Sequence, residues 1–127
     1  MTTYDFGDGA GPVAAHQHAN GGGWVADTAV VDDSVWIDST AKVYGNACVC
    51  DDAWIYEQAQ IRGDCFVGHE TQCFGSCIVE GTARVDGESR VYGTAIVRGT
   101  AELYGCTFIG GTAVVEEGIL RDEQRTS

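Results

Sequence analysis

Counting from Val25 in steps of six gives Val25, Val31, Ile37, Val43, Val49, Ile55 and Ile61, and the run continues to Val115. Sixteen consecutive positions follow this step, and fifteen are aliphatic; the exception is Cys73. A period of six fits neither an α-helix nor a long strand, whose side chains repeat every 3.6 and every 2 residues. It fits a short strand and a corner, repeated, with the aliphatic side chain pointing inward. Four residues after each aliphatic stands a mostly small residue, such as Ala41, Ala47, Ala53, Ala59, Ala83 or Ala95. Turn signals lie between, among them Gly45-Asn46, Gly81-Thr82, Gly93-Thr94 and Gly99-Thr100. Glycine there permits positive φ at little steric cost.

Three such sides close one triangular coil of eighteen residues. Stacked coils then pair their strands in parallel, about 4.8 Å apart. The spacing predicts an all-β parallel β-helix over residues 25–120, about five coils long. Residues 1–24 lack the hexad and hold six glycines and the single proline, Pro12. They read as an irregular N-terminal arm or cap. Residues 121–127 read as a polar tail.

Composition excludes several roles. The chain has 127 residues, with 7 basic against 19 acidic and a net charge of −12. Such a chain is a poor ligand for nucleic acid or an anionic membrane. No apolar run is long enough to span a bilayer. The opening residues lack the basic start and apolar stretch of a signal peptide, so synthesis in a cytoplasm is expected. Six cysteines are too few for a disulfide-built mini-domain, yet many for a cytoplasmic chain.

The unbroken hexad resembles the hexapeptide-repeat, left-handed parallel β-helix family over about three quarters of the chain. Left-handedness is what the resemblance implies, since ordinary crossovers are right-handed. The family commonly forms trimers, and many members are acyltransferases or carbonic anhydrases. Ile61-Arg62-Gly63-Asp64 resembles a segment of the hexapeptide carbonic anhydrases, which hold zinc with three histidines. Here the repeat carries one histidine, His69, and none lies eighteen residues from it. The hexad never breaks to extrude the loop that acyltransferases of this fold use. No triad or phosphate-binding loop stands out. No catalytic residue, metal ligand or cofactor is therefore assigned, and an enzyme of unknown substrate is the alternative reading.

Residues eighteen apart stack, so the sequence resolves into three outer surfaces. The first carries the ladder Arg62, Glu80, Arg98, Glu116. The second is expected to stack Trp36 beneath Trp54. The third is expected to carry an aromatic column of Tyr56, Phe74 and Tyr92 beside an aliphatic column of Ile78, Ile96 and Val114. Exposed apolar strips of that extent mark an interface. The expected contact is with other copies of the chain, as a homotrimer.

Cys65, Cys73 and Cys77 occupy inward or corner positions and read as small core residues. Cys48 and Cys50 flank inward Val49, and Cys106 sits in a turn, so these three are candidates for disulfides to other chains. His16 and His18 form a His-x-His pair with some capacity for metal, though polar pairs are common in glycine-rich arms. The head, Tyr4-Asp5-Phe6-Gly7-Asp8-Gly9 followed by Asn20-Gly21-Gly22-Gly23-Trp24-Val25, resembles that of small phage and prophage proteins. That resemblance implies a virion protein assembled in the host cytoplasm, a capsid decoration or spike protein whose partner is the major capsid protein or another virion protein. Tyr4, Phe6, His16, His18, Trp24, Trp36 and Trp54 are the expected partner contacts.

Overall fold

The computed structural model describes residues 2–7 and 9–126. Met1, Asp8 and Ser127, which belong to the arm and the tail, lie outside the described residues. Every regular element among the described residues is a strand. The first three are β1 (Thr3–Asp5), β2 (Pro12–Gln17) and β3 (Trp24–Ala26), and the strands after them are two or three residues long.

These strands stack in parallel into a β-solenoid of three faces and about six turns. The first face runs from β3 through Lys42–Val43, Gln60–Ile61, Ile78–Val79 and Ile96–Val97 to Val114–Val115. The second runs from Val30–Val31 to Ile119–Arg121, and the third from Trp36–Ile37 to Gln124–Arg125. The register is the one the hexad demands: Trp36 pairs with Trp54, Phe66 with Arg84 and Val79 with Val97. Each strand donates upward to the next coil, as Asp38 N–H does to Ile55 O at 2.8 Å. Two-residue strands suffice because every coil repeats the bond at the same place.

The inward aliphatics are fully buried from Val25 to Ile109 except Val31, which is half-buried, with mostly alanines or small cysteines at the corners between them. Where the corner residue is Ser89 or Thr107, its hydroxyl donates to the carbonyl three residues back, Asp86 O or Tyr104 O. That bond removes the penalty of burying the oxygen. Cys65, Cys73 and Cys77 are buried, as their addresses in the repeat require.

Both ends carry regular strands. The arm is ordered. β1 pairs antiparallel with β2, and β2 antiparallel with β3, so the arm continues the first face beyond its first coil. On the third face the loop of residues 20–23 passes along the open edge at Ile37. Ile37 N–H donates to Asn20 O, and Gly23 N–H donates to Ile37 O. A Cβ on Gly21 would stand 2.2 Å from Ile37 O, and one on Gly23 2.1 Å from Ile37 Cγ2. The glycine run is what lets this backbone close on the first coil. The polar tail contributes too: Gln124–Arg125 pairs with Phe108–Ile109 and adds a rung. The step shortens to reach it, since Leu103 pairs with Leu120 and Phe108 with Gln124, one and two residues short of eighteen.

Candidate functional site

Trp54, Ile55 and Tyr56 are consecutive, with Ile55 buried in the core. Residues on either side of an inward one both project outward from the same face. Trp36 and Trp54 therefore share the third face with Tyr56, Phe74 and Tyr92, not a second face of their own. The stacking itself is as the spacing requires. Tyr56 lies on Phe74 with ring centroids 5.0 Å apart and planes 3° from parallel. Phe74 lies on Tyr92 at 5.5 Å and 12°. A Cβ at Gly110 would stand 2.1 Å from the Tyr92 ring, so the ring folds over that glycine and ends the column there.

The aliphatic column is displaced for the same reason. Ile78, Ile96 and Val114 lie beyond a turn from Phe74 and Tyr92, on the first face. They share that face with the charged ladder, which forms as two pairs. Arg62 meets Glu80 at 2.7 Å, and Arg98 meets Glu116 at 2.6 Å. The aromatic and aliphatic columns thus flank one corner of the prism, separated by Gly75-Ser76 and Gly93-Thr94. Ile78 and Ile96 are half-buried and Val114 is exposed.

At the lower end of the third face Trp36 and Trp54 are 42% and 52% exposed. Trp54 meets Tyr56 edge-on, with centroids 6.2 Å apart and planes at 77°. Asn20, Ser34, Trp36, Asp38, Trp54 and Tyr56 line a groove of about 600 Å³. Burial holds the Tyr56 phenol above its ordinary value, with Glu57 and Asp38 adding to the effect and Arg90 opposing it. Asp38 was not singled out in the sequence, although its place eighteen residues before Tyr56 could have shown it. Asn20 was not legible, because the arm lies outside the repeat.

The arm residues expected to grip a partner are largely occupied within the chain. Tyr4 stacks on Trp24 at 4.6 Å and Phe6 on Tyr44 at 4.6 Å. Together with Ala15 and Ala26 they form a second small core outside the first face. Lys42 Nζ lies 5.5 Å from the Tyr4 ring centre. His18 is buried, and its Nε2–H donates to Val35 O at 2.7 Å. His16 is exposed and meets Asp27 at 2.7 Å. Each histidine of the pair thus has its own partner.

All six cysteines are free thiols. Cys48 and Cys50 are half-buried and Cys106 is exposed. Ligand atoms of Asp32, Cys50 and Asp51 lie within 4.8 Å of one another, the one mixed set of possible metal ligands among the described residues. Burial, and after it the charge of Asp51, pushes the Cys50 thiol up to about 12. A thiol so held is protonated at neutral pH and a weak ligand. His69, which the sequence placed at a turn, hydrogen bonds through Nδ1 to the buried carboxylate of Asp86. No protein-family model, curated protein or solved structure matches the chain.

Proposed function

We propose that this chain is a structural protein that assembles with its own copies through the corner between the third and first faces, and that the trimer decorates a phage capsid. The observation that carries the assembly is the continuous apolar strip on both sides of that corner: Tyr56, Phe74 and Tyr92 on one side, Ile78, Ile96 and Val114 on the other. Small residues at the corner itself, Gly75-Ser76 and Gly93-Thr94, allow two prisms to approach closely. A stiff, flat, pre-stacked surface loses little conformational entropy on association. Three is the number of copies that the hexapeptide-repeat resemblance implies, and the virion is the setting that the head resemblance implies. Cys48, Cys50 and Cys106 are the candidates for covalent links between neighbouring copies. With the arm engaged as a cap, docking to the shell falls to the prism's faces and to exposed residues of the cap such as His16.

Sedimentation equilibrium of the whole protein tests the assembly. Three chains per particle are expected, and Ile96→Asp should shift the distribution toward single chains by placing a carboxylate in the contact. A wild-type protein that remains a monomer at micromolar concentration removes the assembly reading. Immunogold labelling of purified virions tests the setting separately.

A further inference from the structure

The groove at the lower end of the third face has a chemistry of its own. We infer that it binds a small, net-cationic quaternary ammonium compound of the choline class, held between Trp36, Trp54 and Tyr56 with Asp38 as counter-charge. This goes beyond the assembly reading and does not rest on it. The strip used for assembly runs upward from Tyr56, and the groove lies below it.

Three observations converge. The first is the shape of the aromatic wall. Trp54 and Tyr56 meet at 77°, which makes two sides of a corner, and Trp36 on the coil below also lines the groove. The column of rings stops at Tyr56 because position 38, where the next ring would lie, is an aspartate. Ring faces attract cations through their quadrupole, and cages of this kind recognise methylated ammonium groups.

The second is charge. Asp38 is the single ionisable acid or base lining the groove apart from the Tyr56 phenol, and no cationic side chain lines it. The chain as a whole carries −12. A cation is drawn to such a site and an anion is repelled.

The third observation separates a quaternary ammonium from other ligands. Most polar side chains around the groove already hold a hydrogen bond within the chain. Asp38 Oδ1 accepts from Trp36 Nε1–H at 2.6 Å, and Oδ2 accepts from Glu57 N–H at 2.8 Å. Asn20 Nδ2 donates to Asp33 O, and Ser34 Oγ donates to Asp51 O. Of the side-chain N–H groups lining the groove, the Trp54 indole and the second proton of the Asn20 amide are left without a partner among the described residues. A sugar needs several donors and acceptors, and a primary ammonium needs acceptors for three protons. A quaternary ammonium needs neither. It asks for apolar faces and a fixed negative charge, and Asp38 is fixed by the two bonds it accepts.

Tryptophan fluorescence of the full-length protein, titrated with choline chloride against sodium chloride at equal ionic strength, reads the site. Saturation with a Kd of about millimolar is expected. The uncharged carbon analogue of choline, with a tert-butyl group in place of the trimethylammonium, should bind about tenfold more weakly. Phosphocholine and glucose should bind more weakly still. Trp54→Ala should abolish saturation while the melting temperature stays near that of the parent, because the ring is half exposed. Asp38→Asn should weaken choline about tenfold, and the carbon analogue tests the same charge without touching the fold. Absence of saturation by choline overturns the inference. So does equal binding of the carbon analogue, which would make the groove merely apolar. Tighter binding of glucose, of phosphocholine or of a trimethyllysine peptide would assign it to a different ligand.

Discussion

Phe6 lies on Tyr44, ring centroids 4.6 Å apart and planes 19° from parallel. The first belongs to the arm and the second to the outer side of the second rung of the first face. This contact joins a segment without the repeat to the repeat itself, and both residues are buried by it. A solenoid's end exposes unpaired strand edges that invite further pairing. Here β2 covers the edge on the first face and the loop of residues 20–23 covers it on the third. The arm is therefore a cap built into the fold.

Truncating that contact should loosen the cap. Phe6→Ala removes a buried ring and should destabilise the protein by about 3 kcal/mol. Urea unfolding followed by circular dichroism measures it. Removal of residues 1–22 should go further and yield material that aggregates through the uncovered edges. A truncated chain that stays soluble and melts with the parent would mean that the hairpin is dispensable.

The glycine column at one corner sets the closest approach between coils. Gly63 has φ +77°, and a Cβ there would stand 2.9 Å from Gly81 N. Gly63→Ala combines an unfavourable backbone conformation with a clash against main chain that has no room to move. A loss of roughly 1–3 kcal/mol is expected. Gly118→Ala, with φ +95° but open space around it, is the control. It should show the backbone effect alone. Equal losses would mean that packing between coils contributes nothing at Gly63.

His69 gives stability a dependence on pH. Its hydrogen bond to Asp86 and the charge of that carboxylate hold the imidazolium above the ordinary value of 6.5. A raised folded-state value means that the stabilisation is complete below 6.5 and disappears as pH rises through the folded value. Urea midpoints should therefore fall between about pH 6 and about pH 8. His69→Gln should flatten that slope. An unchanged slope in the variant would assign it to other groups.

Much of this architecture was legible because a six-residue period admits few folds. Val79 had to pair with Val97, and Tyr56 had to stack under Phe74, once coils of eighteen were recognised. The faces were harder to read. Trp54 and Tyr56 share a face because they flank one inward residue, whereas Phe74 and Ile78 stand on different faces because a turn separates them. The period fixes which residues stack, but the corner's position within it decides which columns are neighbours. The arm was least legible. Tyr4, Phe6 and Trp24 look like free aromatic anchors in sequence, and only the three-dimensional return of β1 over the first face brings them to Lys42 and Tyr44. The groove was missed: Asp38 could have been placed beneath Tyr56 by the step of eighteen, but Asn20 could not, because the arm has no repeat.

The outward cysteines should differ in reactivity in an order set by their surroundings. Cys50 is half-buried beside Asp51, Cys48, Asp32 and Asp86, and its thiol is pushed up to about 12 by burial first and these charges after it. At pH 8 only about one molecule in ten thousand carries the thiolate there. Cys106 is exposed; its thiol is also raised, by desolvation first and then by Glu88, whose Oε2 accepts from Sγ at 3.7 Å. Exposure leaves Cys106 the more accessible of the two. Alkylation with iodoacetamide, followed by peptide mapping, should label Cys106 well before Cys50. The Cys50 rate should still be climbing about tenfold per pH unit at about pH 10. A plateau near the ordinary thiol value would show that neither burial nor the neighbouring carboxylates hold the thiol as described. The same order governs any link between copies. On a non-reducing gel of air-oxidised protein, Cys106→Ser should remove the first crosslinked band, and Cys50→Ser should leave it in place. If Cys50→Ser removes it instead, oxidation proceeds through the half-buried thiol, and assembly must first relieve the burial and the charges that hold it protonated.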